Sequence, residues 1–115
     1  KNQIGPYHLY LKTDFRHVYF DVRDSKEAVL SGFVMALGPF RRIIRDYQMV
    51  CTSYYEAIRT KSPSQIQAID MGRRSLHNEG SDLLIQRLEN YVRVDNATAR
   101  RLFTLIYVMT SRGER

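Results

Sequence analysis

Asp70, Arg73, Arg74 and His77 stand at steps of three and four in the segment Asp70-Met71-Gly72-Arg73-Arg74-Ser75-Leu76-His77-Asn78-Glu79-Gly80. On a helix that spacing puts the four side chains along one edge. Two guanidinium groups could clamp a phosphate or carboxylate, the imidazole could carry a proton, and the acid could orient it. Asp70 four residues before Arg74 is also the better order for an intrahelical ion pair. The competing account is a solvated salt-bridge cluster, which such a group forms equally well. A metal site built on His77 with Glu79 fits poorly, because residues two apart on a helix point in different directions.

The second basic cluster opens a helix. In Gly38-Pro39-Phe40-Arg41-Arg42 the proline suits the first helical position, since its missing N–H would be unpaired there anyway. Arg41 and Arg42 then sit where the helix macrodipole is positive, which disfavours cations by a few tenths to about 1 kcal/mol each. Unpaired N–H groups with two arginines make a seat for phosphate, carboxylate or sulfate. The alternative is that both arginines pair with acids of the preceding strands or point into water.

No phosphate-binding glycine loop, nucleophile elbow, zinc-type cysteine spacing, HExxH or EF-hand pattern occurs in the chain, so neither cofactor nor metal is expected. Arginine pairs at 41/42, 73/74 and 100/101, with tyrosines at 47, 54 and 55, raise a nucleic-acid reading through base stacking. No RNA- or DNA-binding motif supports it, and the tyrosines fall on or beside an apolar stripe where such rings pack. His8 and His17 belong to the polar face of a sheet.

These clusters need elements to hold them. Tyr7, Leu9 and Leu11 alternate with polar neighbours, as do Val18, Phe20 and Val22, and Ala28 to Leu37 reads as a third strand. Gly32 inside it suggests a bulge or a close backbone approach. A three-stranded meander is marginal unless helices cover one face. The first helix runs from Pro39 to about Thr60, with Phe40, Ile43, Ile44, Tyr47, Cys51, Tyr54, Tyr55 and Ile58 as its apolar stripe. Ser62-Pro63-Ser64-Gln65 is a capping box opening the next. That helix extends to about Asn90, bent or broken at Gly72 and Gly80, each costing about 1 kcal/mol against alanine. Tyr91 to Val94 looks extended. Asp95 caps a last helix to about Ser111, apolar nearly all round, which implies a central position or burial in a partner, a second copy included.

The length of 115 residues fits one domain, residues 1–115, with strands over about 6–37 and helices over about 39–111. Fourteen of the eighteen basic residues are arginine, and the net charge of +6 favours an acidic partner. The single Cys51 rules out an internal disulfide and reads as a small buried hydrophobe in a reducing compartment. No apolar run approaches a membrane span and no signal peptide is visible, so a cytoplasmic setting is expected. The first residue is Lys1 rather than methionine, so targeting information could have been lost ahead of it.

Gly38-Pro39-Phe40-Arg41-Arg42, Ser53 to Arg59, Pro63-Ser64-Gln65-Ile66, Ala68 to Arg74, Leu76 to Ser81 and Thr98 to Ile106 together resemble uncharacterised protein family 0262. The likeness runs from Gly5 to about Val108. It implies an alphaproteobacterial, cytosolic protein or an organellar relative, and it brings no activity, cofactor or catalytic residue to carry over. Members of that family have several tens of residues ahead of the first strand, including an amphipathic helical segment, which this sequence lacks.

The expectation is therefore an α+β fold, a three-stranded antiparallel meander followed by three or four helices packed on one face. The expected function is a non-catalytic binding or adaptor domain that holds an anionic ligand or acidic partner protein. Arg41, Arg42, Arg73, Arg74 and His77 are its candidate anion-binding residues, with Asp70 and Glu79 as acid partners. The enzyme alternative is a small hydrolase or transferase for a phosphorylated substrate, with His77 as acid/base and Arg73 and Arg74 as clamps.

Overall fold

The computed structural model describes residues 7–113. Strands β1 (His8–Thr13), β2 (His17–Arg23) and β3 (Val29–Ala36) pair antiparallel in the order β1-β2-β3. Leu9 faces Val22, Leu11 faces Phe20 and Thr13 faces Val18, so the alternation read from sequence sets the register. Both turns are anchored by an aspartate that supplies the backbone with an acceptor. Asp14 Oδ1 accepts from the N–H groups of Arg16 (2.8 Å) and His17 (2.7 Å). Asp24 Oδ1 does the same for Lys26 and Ala28, both at 2.9 Å. The second turn places Glu27 at φ 69°, a left-handed position that favours glycine. Its carboxylate receives the Tyr10 hydroxyl at 2.7 Å and contacts His8, which ties the strained residue to β1. The irregularity of the sheet lies at Leu30, the extra residue between the Val22–Ser31 and Arg23–Val29 pairs, two positions before Gly32.

Val18, Phe20, Phe33 and Met35 fill the inner face. Leu37 N–H donates to Arg16 O at 2.8 Å, which carries the chain from β3 back to the β1–β2 turn. A short 3₁₀ turn, Gly38–Phe40, then runs directly into α1 (Arg41–Thr60). Phe40, Ile43, Ile44 and Tyr47 are buried as the stripe predicts. Farther on the stripe rotates, because α1 leaves the sheet and packs against the next helix alone. Small Ala57 is buried there, while Tyr55 and Ile58 are 65% and 49% exposed.

Helix α2 (Pro63–Leu88) starts in the expected capping box: Ser62 Oγ accepts from Gln65 N–H, and the Gln65 side chain accepts from Ser62 N–H. Ser62→Ala is expected to cost about 1 kcal/mol, read as a lower urea midpoint with unchanged slope. The helix is unbroken through Gly72 and Gly80, so three helices follow the meander. Its deepest side is His77, Gly80, Ser81, Leu84 and Leu88. Tyr91 to Val94 is not a strand. It returns the chain with Val92 and Val94 against the core and the Tyr91 ring stacked on Phe33 at 4.6 Å. Asp95 Oδ1 accepts from Thr98 N–H (2.8 Å) and opens α3 (Asn96–Gly113).

Helix α3 buries Ala99, Leu102, Phe103 and Ile106 against α2 and the sheet. Leu105 and Val108 stay 51% and 41% exposed, so α3 flanks the bundle rather than occupying its centre. Contacts of Arg42 with Glu79 and of His77 with Thr104 show that α2 runs antiparallel to both its neighbours. Helices α1 and α3 meet through Tyr47, whose ring lies against Phe103 at 5.6 Å and Tyr107 at 4.9 Å edge-on.

Candidate functional site

The two arginines that open α1 part company. One residue of helix turns a side chain by about 100°, so Arg41 and Arg42 leave in different directions. Arg42 goes to α2, where it contacts Glu79 and meets Asp46 Oδ2 at 3.2 Å. Both carboxylates come from helices rather than from the sheet. Arg41 instead reaches the β1–β2 turn: its Nη2 donates to Phe15 O at 2.6 Å, and its guanidinium lies 5.1 Å from the Phe15 ring centre. Arg45, four residues on, shares the Arg41 side of the helix.

Arg41 and Arg45 line one depression of about 430 Å³ with Thr13, Asp14, Phe15, Gln48, Met109 and Thr110, floored by Leu37 and Ile44. Among the described residues no carboxylate lies within hydrogen-bond distance of either guanidinium, the nearest pair being Arg45 Nε with Asp46 at 3.9 Å. Asp14 is the acid in the wall, and its oxygens are engaged. Besides the two turn N–H groups it accepts the Tyr19 hydroxyl at 2.6 Å, and these bonds, Tyr19 foremost, lower its pKa to about 2. Thr13 and Gln48 add neutral donors, whereas Thr110 gives its hydroxyl proton to Ile106 O at 2.8 Å. The arrangement can hold an oxyanion against two fixed charges with an apolar floor beside it.

The α2 cluster is arranged otherwise. Asp70 Oδ1 takes Arg73 through Nε (3.0 Å) and Nη2 (2.5 Å), and its Oδ2 takes Arg74 Nε at 3.0 Å. That pairing, Arg73 first, holds the Asp70 carboxyl below its ordinary range. His77 is 7% exposed and turns inward, with Nε2 2.9 Å from Thr104 Oγ1 and its ring against Tyr47 and Phe103. It hydrogen-bonds with neither Asp70 nor either arginine. Of the seven candidate residues the structure thus joins Arg42 with Glu79 and Asp70 with Arg73 and Arg74. It sets Arg41 beside Arg45, and it places His77 in the core.

Arg73 also lines a second depression, of about 360 Å³, with Tyr47, Cys51, Tyr54, Tyr55, Thr104, Tyr107 and Val108, and lies 5.3 Å from the Tyr54 ring centre. Burial pushes the Cys51 thiol up from its ordinary value. A third, mostly apolar hollow of about 630 Å³ lies between the sheet and the α2–α3 link, with Arg93 and Asp95 supplying opposite charges. Among the described residues no three His, Cys, Asp or Glu side chains gather as metal ligands, and no helix is long and apolar enough to cross a membrane.

Arg45 is the site residue that sequence reasoning passed over. Its i, i+4 relation to Arg41 was the available signal, masked by the adjacent Arg41-Arg42 pair, which cannot share a face.

Residues 1–112 match the family described as Uncharacterised protein family (UPF0262). A UPF0262 protein of Paramagnetospirillum magneticum is 54% identical over 110 residues, which cover 96% of this chain and 70% of the relative. Those of Rhodospirillum rubrum and Agrobacterium fabrum are 51% and 50% identical over 109 residues, covering 95% of this chain and 68% and 69% of each relative. The chain thus spans about two thirds of the length of these bacterial relatives. No solved structure matches it. With nearly the whole sequence matched by the family and half its residues shared with these relatives, the chain belongs to family UPF0262.

Proposed function

We propose that this domain is a non-catalytic binding module that receives an anionic group, a carboxylate or a phosphate, between Arg41 and Arg45. The observation that carries the reading is the shared depression in which two guanidinium groups face one volume with no carboxylate within hydrogen-bond distance among the described residues, Asp46 standing 3.9 Å from Arg45 Nε. A net charge of +6 brings anions to that surface from a distance. Arg42, Arg73 and Arg74 serve it indirectly, by holding α1 and α2 together and α2 in shape, since their charges are met by Asp46, Glu79 and Asp70. The module works in the cytoplasm, where its single cysteine stays a thiol.

Inorganic phosphate, added at constant ionic strength, is expected to raise the melting temperature saturably, as a ligand of the folded state must. In Arg41→Gln/Arg45→Gln the ligand-free protein should lose on the order of 1 kcal/mol, the bond of Arg41 to Phe15 O, and the apparent affinity should fall about tenfold or more, the loss of at least one charge-assisted bond. Arg42→Gln should lower ligand-free stability and leave the phosphate response in place. An equal phosphate response in the double variant and the parent protein would remove the reading.

A further inference from the structure

The depression shared by Arg41 and Arg45 is divided between charge and carbon. The two guanidinium groups come from α1, while Leu37 and Ile44 floor the volume and Phe15 and Met109 flank it. Carbon makes up the larger share of its lining. Phe15 stands out among these residues. It sits in the β1–β2 turn, 74% exposed, and is neither part of the core nor packed against it. Arg41 holds it at the lip, by the bond to Phe15 O at 2.6 Å and by the ring 5.1 Å away. An aromatic surface and a cation are thus fixed side by side, facing one volume.

Charge sets a second condition. Asp14 lines the same depression, and with its pKa lowered to about 2, chiefly by the Tyr19 hydroxyl, it is ionised at neutral pH. Two cations and one anion leave a single positive charge, which a monoanion neutralises. A dianion meets twice the repulsion from Asp14. Asp46, 3.9 Å from Arg45 Nε, adds to the same bias. Shape agrees with charge. A phosphate monoester has three terminal oxygens that all seek donors, and the side chains of Leu37 and Ile44 offer none. A carboxylate has both oxygens at one end and carbon at the other, the same division as the depression.

We propose that this depression binds a monocarboxylate with a short apolar body, the carboxylate between Arg41 and Arg45 and the hydrocarbon part on Leu37, Ile44 and Phe15. The proposal rests on the anion-binding reading of the site and adds the ligand's class to it. A volume of about 430 Å³ lies toward the lower end of the range for small-molecule sites, which limits the length of the body. Arg41 gives one N–H to Phe15 O and keeps the rest of its fork for the ligand.

The probes are acetate, butyrate, hexanoate and adipate, the dicarboxylate counterpart of hexanoate, with hexanol as the uncharged control. Each is added at constant ionic strength, and the saturable rise in melting temperature is read as an apparent affinity. Affinity is expected to rise about two- to fourfold per methylene from acetate to hexanoate, as each leaves water for carbon. Adipate should bind about tenfold more weakly than hexanoate, because its second carboxylate would lie on the floor without a donor. Hexanol should give no saturable rise, and phosphate should compete with hexanoate. Phe15→Ala, at an exposed position and keeping the carbonyl that Arg41 uses, should weaken hexanoate about fivefold and leave acetate and phosphate unchanged. Arg41→Gln/Arg45→Gln should weaken every acid and phosphate.

An affinity that stays flat from acetate to hexanoate, or adipate binding as tightly as hexanoate, means that the surface reads charge alone. The apolar body is then overturned and the anion seat stands. Unchanged hexanoate binding in Phe15→Ala overturns it in the same way. Hexanol binding as tightly as hexanoate overturns the proposal too, by removing the arginines from recognition. No response to phosphate or to any of the acids removes this inference and the anion seat together.

Discussion

Gly80→Ala is expected to destabilise the domain by about 3 kcal/mol, lowering its melting temperature by on the order of 10 °C. Inside a helix the same change ordinarily gains up to about 1 kcal/mol, because alanine has less backbone entropy to lose. Packing reverses the sign. A Cβ built on Gly80 would stand 2.2 Å from Phe103 Cε1 and 2.5 Å from Cδ1, well inside van der Waals contact. Phe103 has no exposure and no free side to retreat to, with Tyr47 and His77 edge-on against its ring. Either α3 moves off α2 or the ring leaves its rotamer, and both forfeit contacts at the centre of the bundle.

Gly72 supplies the control on the same helix. Its added Cβ would meet Val50 Cγ2 at 3.8 Å, an ordinary contact, so Gly72→Ala should raise stability by about 0.5–1 kcal/mol. Chemical denaturation of the two single variants, and of Gly80→Ala combined with Phe103→Leu, gives the test. The double variant should recover part of the loss, because the two changes act on one volume. Gly80→Ala with the parent's urea midpoint would mean that α3 does not press against Gly80.

The glycine pair shows what local preference conveys and where it stops. Elements fixed by neighbours in sequence were readable: the alternating strands, the Ser62–Gln65 capping box, the Asp95 cap and the proline that precedes α1. Each is decided within a few residues, where periodicity and side-chain–backbone bonding dominate. The second helix was harder because its buried side is written in His77, Gly80 and Ser81 before Leu84 and Leu88. Three of those five residues are polar or lack a side chain, so an apolar stripe does not mark that side.

The same limit governed the site. Asp70 four before Arg74 was correctly seen as a possible ion pair, being local. The contact of Arg42 with Glu79 spans 37 residues and depends on how α1 lies on α2. The bond of Arg41 to Phe15 O depends on the Leu37–Arg16 hydrogen bond that draws the two segments together. Charge count could say that anions would be attracted. Only the packing of three helices decides which guanidinium groups are left to receive them.

Lowering the pH from 8 to 5 should cost the parent protein more stability than His77→Gln, and the difference should open below about pH 6.5. The inward turn of His77 sets the sign. Thr104 gives its hydroxyl proton to Arg100 O at 3.1 Å, so it accepts from His77 Nε2–H, and Ser81 gives its own to His77 O at 2.8 Å. The ring is held as the neutral Nε2–H tautomer between Tyr47 and Phe103. Burial first, then the charges of Arg100 and Arg73, push its pKa below the ordinary 6.5. As pH falls through 6.5 the unfolded chain gains a proton that the folded one refuses. Unfolding is then favoured by up to about 1.4 kcal/mol per pH unit until the folded ring also protonates. Glutamine can still donate to Thr104 but cannot titrate, so His77→Gln loses some packing at every pH and lacks this slope. His8, His17 and the carboxylates with lowered pKa, Asp14, Glu27, Asp70 and Asp95, are common to both proteins and cancel in the difference. Urea titrations of the two proteins at each pH measure it directly. A constant gap from pH 8 to 5 would show that His77 takes a proton as readily folded as unfolded, and the imidazole would again be available for proton transfer. A gap that narrows as the pH falls leaves it a neutral core side chain.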